Sequence, residues 1–206
     1  MEMNQLPTTV LTRTISRPNV TIYYPQVAGL ANRQAEQNIN QTLSRYVQDL
    51  INQQHESQVP GTTEMQGSYE IKNNQRGIFS VTLNNYAYTP PMAHGMTYMM
   101  SLTADVQTGQ VFSLRDLFKP GSDYVKVLSD NIKTQIANRH IPTLEPFKAI
   151  RPDQDFYVAD KALVIYFQLY EITPYYVGFP MFPISVFDLE PIISETGPLS
   201  IMATNS

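Results

Sequence analysis

A chain of 206 residues can bury a core of its own, and with no cysteine it does so without disulfides, zinc-thiolate sites or thiol nucleophiles. A net charge of −4, with charged residues at only 16% and no basic run, disfavours nucleic acid and anionic membrane surfaces as partners, because both are held by cationic clusters. No apolar run approaches the ~20 residues of a membrane helix. The opening Met1-Glu2-Met3-Asn4-Gln5 carries no export signal, so the default expectation is a cytoplasmic chain, or one whose leader has been removed.

In chain order, residues 9–16 alternate as a strand with Leu11, Arg13 and Ile15 on one side. Arg17-Pro18-Asn19 supplies a turn, and residues 20–24 return. From Asn32, a plausible N-cap, to His55, the residues Ile39, Leu43, Tyr46, Val47, Leu50 and Ile51 recur at helical spacing. Pro60-Gly61 breaks the chain. Tyr69 and Ile71 then alternate up to a hairpin turn at 73–77, and Phe79, Val81 and Leu83 share a strand face that runs out through Tyr86 and Tyr88 into Pro90-Pro91. Tyr98, Met100, Leu102, Ala104 and Val106 alternate in the next strand, which 107–110 turn back into Val111-Phe112 as a second hairpin.

A second helix is expected from the N-cap Ser122 to about Arg139, with Val125, Leu128, Ile132 and Ile136 as its stripe and Pro142 beyond its end. The almost wholly apolar stretch 162–169 reads as a central strand covered on both faces, and 186–193 as a short closing helix. The pattern predicts an α+β fold with hairpins and two main helices, in one domain over 8–193 followed by a loose tail over 194–206.

The histidines His55, His94 and His140 show no metal or protease spacing, and His55 and His140 fall near predicted helix C-termini. His94 stands beside Gly95 and behind two prolines, where it can contact a ligand or bond a loop carbonyl. If 92–96 is extended, Met92, His94 and Met96 share a face suited to Cu(I), though methionine also serves as core filler. A hydrolase centred on His94 would need Ser, Thr or an acid in reach, and Thr89 and Thr97 are the nearby hydroxyls. The carboxylate pairs Asp153 with Asp155 and Glu145 with Asp160 carry almost no signal in a chain with 18 acids. Neither a cofactor nor a metal is called for. The stronger hint is aromatic: Tyr86, Tyr88, Tyr170, Tyr175 and Tyr176, with Phe179 and Phe182, lie beside proline-rich turns, where rigid rings with polar tips serve recognition.

Several stretches resemble one family. They are Tyr86-Ala87-Tyr88, Ala93-His94-Gly95, Asp105-Val106-Gln107-Thr108-Gly109-Gln110 and the run from Leu114-Arg115-Asp116-Leu117-Phe118 to Tyr124. Further on, Phe156-Tyr157, Val164-Ile165-Tyr166-Phe167, Tyr170-Glu171-Ile172 and Pro174-Tyr175 continue the match. The family is the extracytoplasmic domain of RsiV-type anti-sigma factors, shared with the non-catalytic part of PdaC-type peptidoglycan deacetylases. Pro90, Pro91 and Met92 stand where that family often has two glycines. The resemblance implies an α+β fold of antiparallel sheets with the two main helices packed on one side, in halves 8–85 and 86–193, and an extracytoplasmic recognition module. In RsiV-like proteins the module binds lysozyme, so a protein partner is expected; the alternative is a module that binds glycan or peptidoglycan. Tyr86, Tyr88, His94, Tyr170, Tyr175 and Tyr176 are the candidate ligand-binding residues.

Overall fold

The computed structural model describes residues 7–58 and 62–204, so the break expected at Pro60-Gly61 and the first five residues lie outside the described residues. The chain divides into two compact units, 1–111 and 112–206.

The first unit is a five-stranded sheet with one helix against it. Its strands are β1 (Thr9–Arg17), β2 (Val20–Ala28), β3 (Glu64–Gln75), β4 (Ile78–Tyr88) and β5 (Met96–Asp105), ordered β1-β2-β3-β4-β5. The two-residue turn at Pro18 and Asn19 works because Asn19 adopts φ 62°, a left-handed conformation asparagine tolerates. The helix α1 (Arg33–Ser57) begins where expected: Asn32 Oδ1 accepts from the Gln34 and Ala35 amides at 3.0 and 3.2 Å. Glu36 accepts the Leu30 amide at 2.9 Å, and that bond holds its carboxyl below the usual carboxylate range, helped by Arg33.

Ala35, Ile39, Leu43, Val47, Leu50 and Gln54 form the buried stripe of α1. It packs on Ile22, Phe79, Val81, Leu83, Leu102 and Ala104, the alternate residues of β2, β4 and β5 that share one sheet face. Because a 25-residue helix separates β2 from β3, that pair is parallel, with Val20 opposite Met65, while every other pair in the sheet is antiparallel. The all-antiparallel expectation is corrected at this one pairing. The second expected hairpin is also reduced, to a turn closed by a single bridge between Ala104 and Val111. Asp105 Oδ1 spends its capacity on the Gln107 and Thr108 amides, and Gly109, at φ 77°, passes so near Ala35 that a β-carbon would lie 2.5 Å from its Cα.

The second unit is a three-stranded antiparallel sheet, β6 (Phe156–Ala159), β7 (Ala162–Tyr166) and β8 (Met181–Ser185), in the order β6-β7-β8. As expected β7 is central, and its residues 163–166 are buried. The strand stops at Tyr166, although Phe167 and Leu169 remain buried beyond it. The helix α2 (Tyr124–Asn138) is capped by Asp123, one residue later than expected, whose Oδ1 accepts the Lys126 amide. Leu128 and Ile132 are its fully buried residues, and Tyr124 stacks on Phe118 with centroids 4.9 Å apart. The closing helix is a single 3-10 turn, Val186–Leu189.

The tail is not loose throughout. Residues Pro198–Ala203 form a helix, α3, because Leu199 and Met202, three positions apart, present one apolar face that is fully buried.

Candidate recognition surfaces

The face of the first unit's sheet turned away from α1 is polar. The register puts Thr21, Gln66, Tyr86 and Thr97 in one row across β2, β3, β4 and β5, since Thr21 pairs with Gln66, Gln66 with Tyr86, and Tyr86 with Thr97. Ser68 and Asn84 pair in the next row. Together with Tyr23, Arg17 and Glu64 they line an open groove of about 680 Å³. Tyr23 and Tyr86 are its aromatic walls, 49% and 39% exposed. Charge in the groove is limited to Arg17 and Glu64, one of each sign, both on its lining.

Gly95 sets the position of the Tyr86 ring. A β-carbon at 95 would lie 2.3 to 2.4 Å from three atoms of that side chain, so the aromatic can rest on the strand entry only because residue 95 has none. Tyr88 is half-buried on the same side of β4. The loop between β4 and β5 hangs from Thr89, which is buried and hydrogen-bonded to Gln58 at 2.8 Å and to Thr63 at 2.9 Å; the Met92 amide closes a turn onto the Thr89 carbonyl. His94 is exposed, and its Nδ1 lies 2.9 Å from the Gly95 carbonyl, the loop-bonding arrangement. Residues 92–94 form a bend rather than an extended strand, so the alternation that would align Met92, His94 and Met96 does not hold. Among the described residues no group of three or more His, Asp or Glu side chains could hold a metal ion, and no helix is long and apolar enough to cross a membrane.

The other candidate tyrosines belong to the second unit. Tyr170 is 47% and Tyr176 79% exposed. The Tyr170 and Tyr175 rings pack with centroids 5.4 Å apart at 31°, and Tyr175 opens the 3-10 turn Tyr175–Val177 that displays Tyr176. Tyr170 sits at φ 65°, and the residue after it fixes this turn. Glu171 accepts the Gln168 amide at 2.7 Å and Gln154 Nε2 at 3.3 Å, and pairs with Arg151. Gln168 in turn donates to Asp155 at 3.0 Å. Burial pushes the Asp155 carboxyl above its usual range, opposed by the Gln168 bond and by Arg151.

Within this stretch Phe182 is a correction: it is fully buried in β8, edge-on to Phe167 at 5.7 Å with the Arg139 guanidinium 5.5 Å from its ring, and belongs to the core. Phe179 is half-buried. His55 lies in the last turn of α1 and His140 just past α2, as their placement near helix ends predicted.

The sequence did not single out Tyr23, Gln66, Ser68 or Asn84, and it named Thr97 only as a hydroxyl near His94. The polar half of each strand's alternation was legible, but the parallel pairing that sets β2 beside β3 was not. The Arg151, Glu171 and Asp155 cluster joins positions up to 20 residues apart and left no local signal.

Two α+β units, each an antiparallel-rich sheet with its helix, the first exposing Tyr23 and Tyr86 on its strands and the second Tyr170 and Tyr176 at its turns, have the character of a binding domain. A family model described as "Deacetylase PdaC" matches residues 15–97, and one described as "Protein of unknown function (DUF3298)" matches residues 115–186. The two matches, over different parts of the chain, support an RsiV-like domain family built from these two domains. It is 30% identical over 181 residues to the anti-sigma-V factor RsiV of Bacillus subtilis strain 168, covering 81% of this chain and 62% of that protein's length. Among solved structures it is similar to a DUF3298 family member from Bacteroides fragilis, with TM-score 0.67, 16% identity and 96% of each chain covered. It is likewise similar to a DUF3298 family protein from Pseudomonas aeruginosa PAO1, with TM-score 0.69 and 18% identity over 98% of this chain and 99% of that one. These two likenesses bear on the fold.

Proposed function

We propose that the chain is a recognition module for a protein on the outer side of the cell membrane, and that Tyr170, Tyr175 and Tyr176 form its anchor. The observation that carries this reading is Tyr176: an aromatic side chain left 79% exposed, beside a tilted, packed tyrosine pair next to the Arg151–Glu171 ion pair. Rigid aromatics with a polar tip lose little entropy on docking and supply much of the energy of protein interfaces. The relation to RsiV supports a protein partner, and a lysozyme is the first to try.

The test is titration of the chain onto immobilised lysozyme and onto envelope proteins of the host, repeated with Tyr176→Ala and Tyr170→Ala. Binding weakened about 30-fold or more by either change supports the reading, since an interface anchor is worth about 2 kcal/mol or more. Absence of binding at high micromolar concentration, or binding indifferent to both substitutions, overturns it.

A further inference from the structure

We infer that the groove on the polar sheet face of the first unit is a separate binding site, for a short uncharged oligosaccharide. It does not rest on the protein-recognition reading, which concerns residues of the other unit. The groove of about 680 Å³ falls in the size range of small-ligand sites, about 300 to 1,000 Å³, and its lining selects the occupant.

The first selection is by backbone. The floor lies across β2, β3 and β4; β3 is laddered to β4 along its length, while its pairing with β2 is confined to 65–67 against 20–22. A peptide adding as a strand needs a free edge, and in the row of Thr21, Gln66, Tyr86 and Thr97 the floor has none and offers only side chains. The second selection is by charge. Arg17 and Glu64 balance one another, so neither a phosphate nor a polycation is favoured.

The third is by the groups presented. Some polar side chains elsewhere in the unit are spent on each other: Ser80 Oγ lies 2.8 Å from Thr103 Oγ1, Lys72 pairs with Glu70, and Thr12 bonds the Tyr69 hydroxyl. In the groove Gln66 and Ser68 are exposed, and Thr21, Asn84 and Thr97 half-buried. Among the described residues none of these five side chains is hydrogen-bonded to another protein group. They present hydroxyl and amide donors and acceptors in neighbouring rows.

The two aromatic walls stand two strands apart and offset along the strands by one row, a Cα separation of about 12 Å from strand spacing and rise. A ligand that meets this set must carry many neutral hydroxyls and also flat C–H faces for the tyrosine rings. Pyranose rings have both properties, whereas an aliphatic or charged ligand has only one or neither.

The experiment is an amide-shift titration of the labelled chain with cellotetraose and with chitotetraose, using a hexuronate tetramer as the charged control. The expected result is saturable shifts at Thr21, Gln66, Ser68, Asn84 and Thr97 with at least one neutral probe, and weaker response to the hexuronate. Tyr23→Ala, and Ser68→Phe filling the floor, should each raise the Kd about tenfold or more. Both positions are exposed, so folding is preserved, and the amide spectrum checks this directly. Tyr176→Ala should leave the saccharide Kd unchanged, which separates this site from the protein-binding one. The inference is overturned if both neutral probes leave these amides unmoved at millimolar concentration, if the shifts map elsewhere, or if Ser68→Phe binds as well as the parent.

Discussion

The side chain of Tyr86 occupies the space a β-carbon would take at Gly95, to within 2.3 Å. The glycine is therefore a steric requirement of the aromatic wall. Gly95→Ala should swing the exposed end of the Tyr86 ring aside, at a cost below about 1 kcal/mol. Urea denaturation measures the loss, and near-ultraviolet circular dichroism reports the displaced tyrosine. Unchanged stability together with an unchanged aromatic spectrum would show that the strand entry yields without strain.

Gln54 is the polar residue on the buried stripe of α1, and it ties the helix to the start of the β4–β5 loop. Its Nε2 donates to the Asn85 carbonyl at 2.7 Å and to the Met96 carbonyl at 2.9 Å. Gln54→Ala leaves both acceptors without that donor, the Asn85 carbonyl in the interior and the Met96 carbonyl half-buried. The penalty should exceed that of a surface change by about 1–3 kcal/mol per orphaned group. Hydrogen exchange at Tyr88 and Thr97 should rise as the strand ends loosen, while exchange in β1 stays as it was.

How much of this was legible depended on whether the governing interaction was local. The α1 stripe, the Asn32 cap and the Asn19 turn are set by residues within four or five positions, so the sequence exposes them. The parallel β2–β3 pair was not visible because nothing in either strand records which neighbour it takes; the length of α1 decides it. The tail erred the other way, since two apolar residues at Leu199 and Met202 are too few to signal a helix until they have something to pack on. Among the candidate site residues, exposure followed from turn chemistry at Tyr170 and Tyr176, but Phe182 falls on the inward phase of β8. One position of alternation separates a recognition aromatic from a core one.

That difference is measurable. Phe182→Ala removes a fully buried ring in edge contact with Phe167 and should cost about 3–5 kcal/mol. Tyr176→Ala, six residues earlier in the same proline-rich stretch, touches no core and should change stability by less than about 0.5 kcal/mol. Paired urea midpoints test both. Comparable losses from the two would mean that Tyr176 is structural, and the anchor would have to be sought elsewhere.

Asp155 gives the second unit a pH dependence of predictable sign. Burial raises its pKa above the ordinary 3.8, against the opposing pull of Gln168 and Arg151. The folded state therefore holds the proton more tightly than the unfolded one, and ionising this group costs stability. The cost is absent below the unfolded pKa, grows as pH rises through it, and is complete above the raised folded value. Asp155→Asn keeps a carbonyl oxygen to accept from Gln168 Nε2 and removes the charge; its ion pair with Arg151, at 4.0 Å and partly exposed, is worth little. The variant should melt higher than the parent at pH 7, with the difference shrinking toward zero near pH 3. A variant less stable than the parent at pH 7 would mean that attraction to Arg151 outweighs burial, and that the carboxylate supports the Glu171 turn beneath the tyrosine pair.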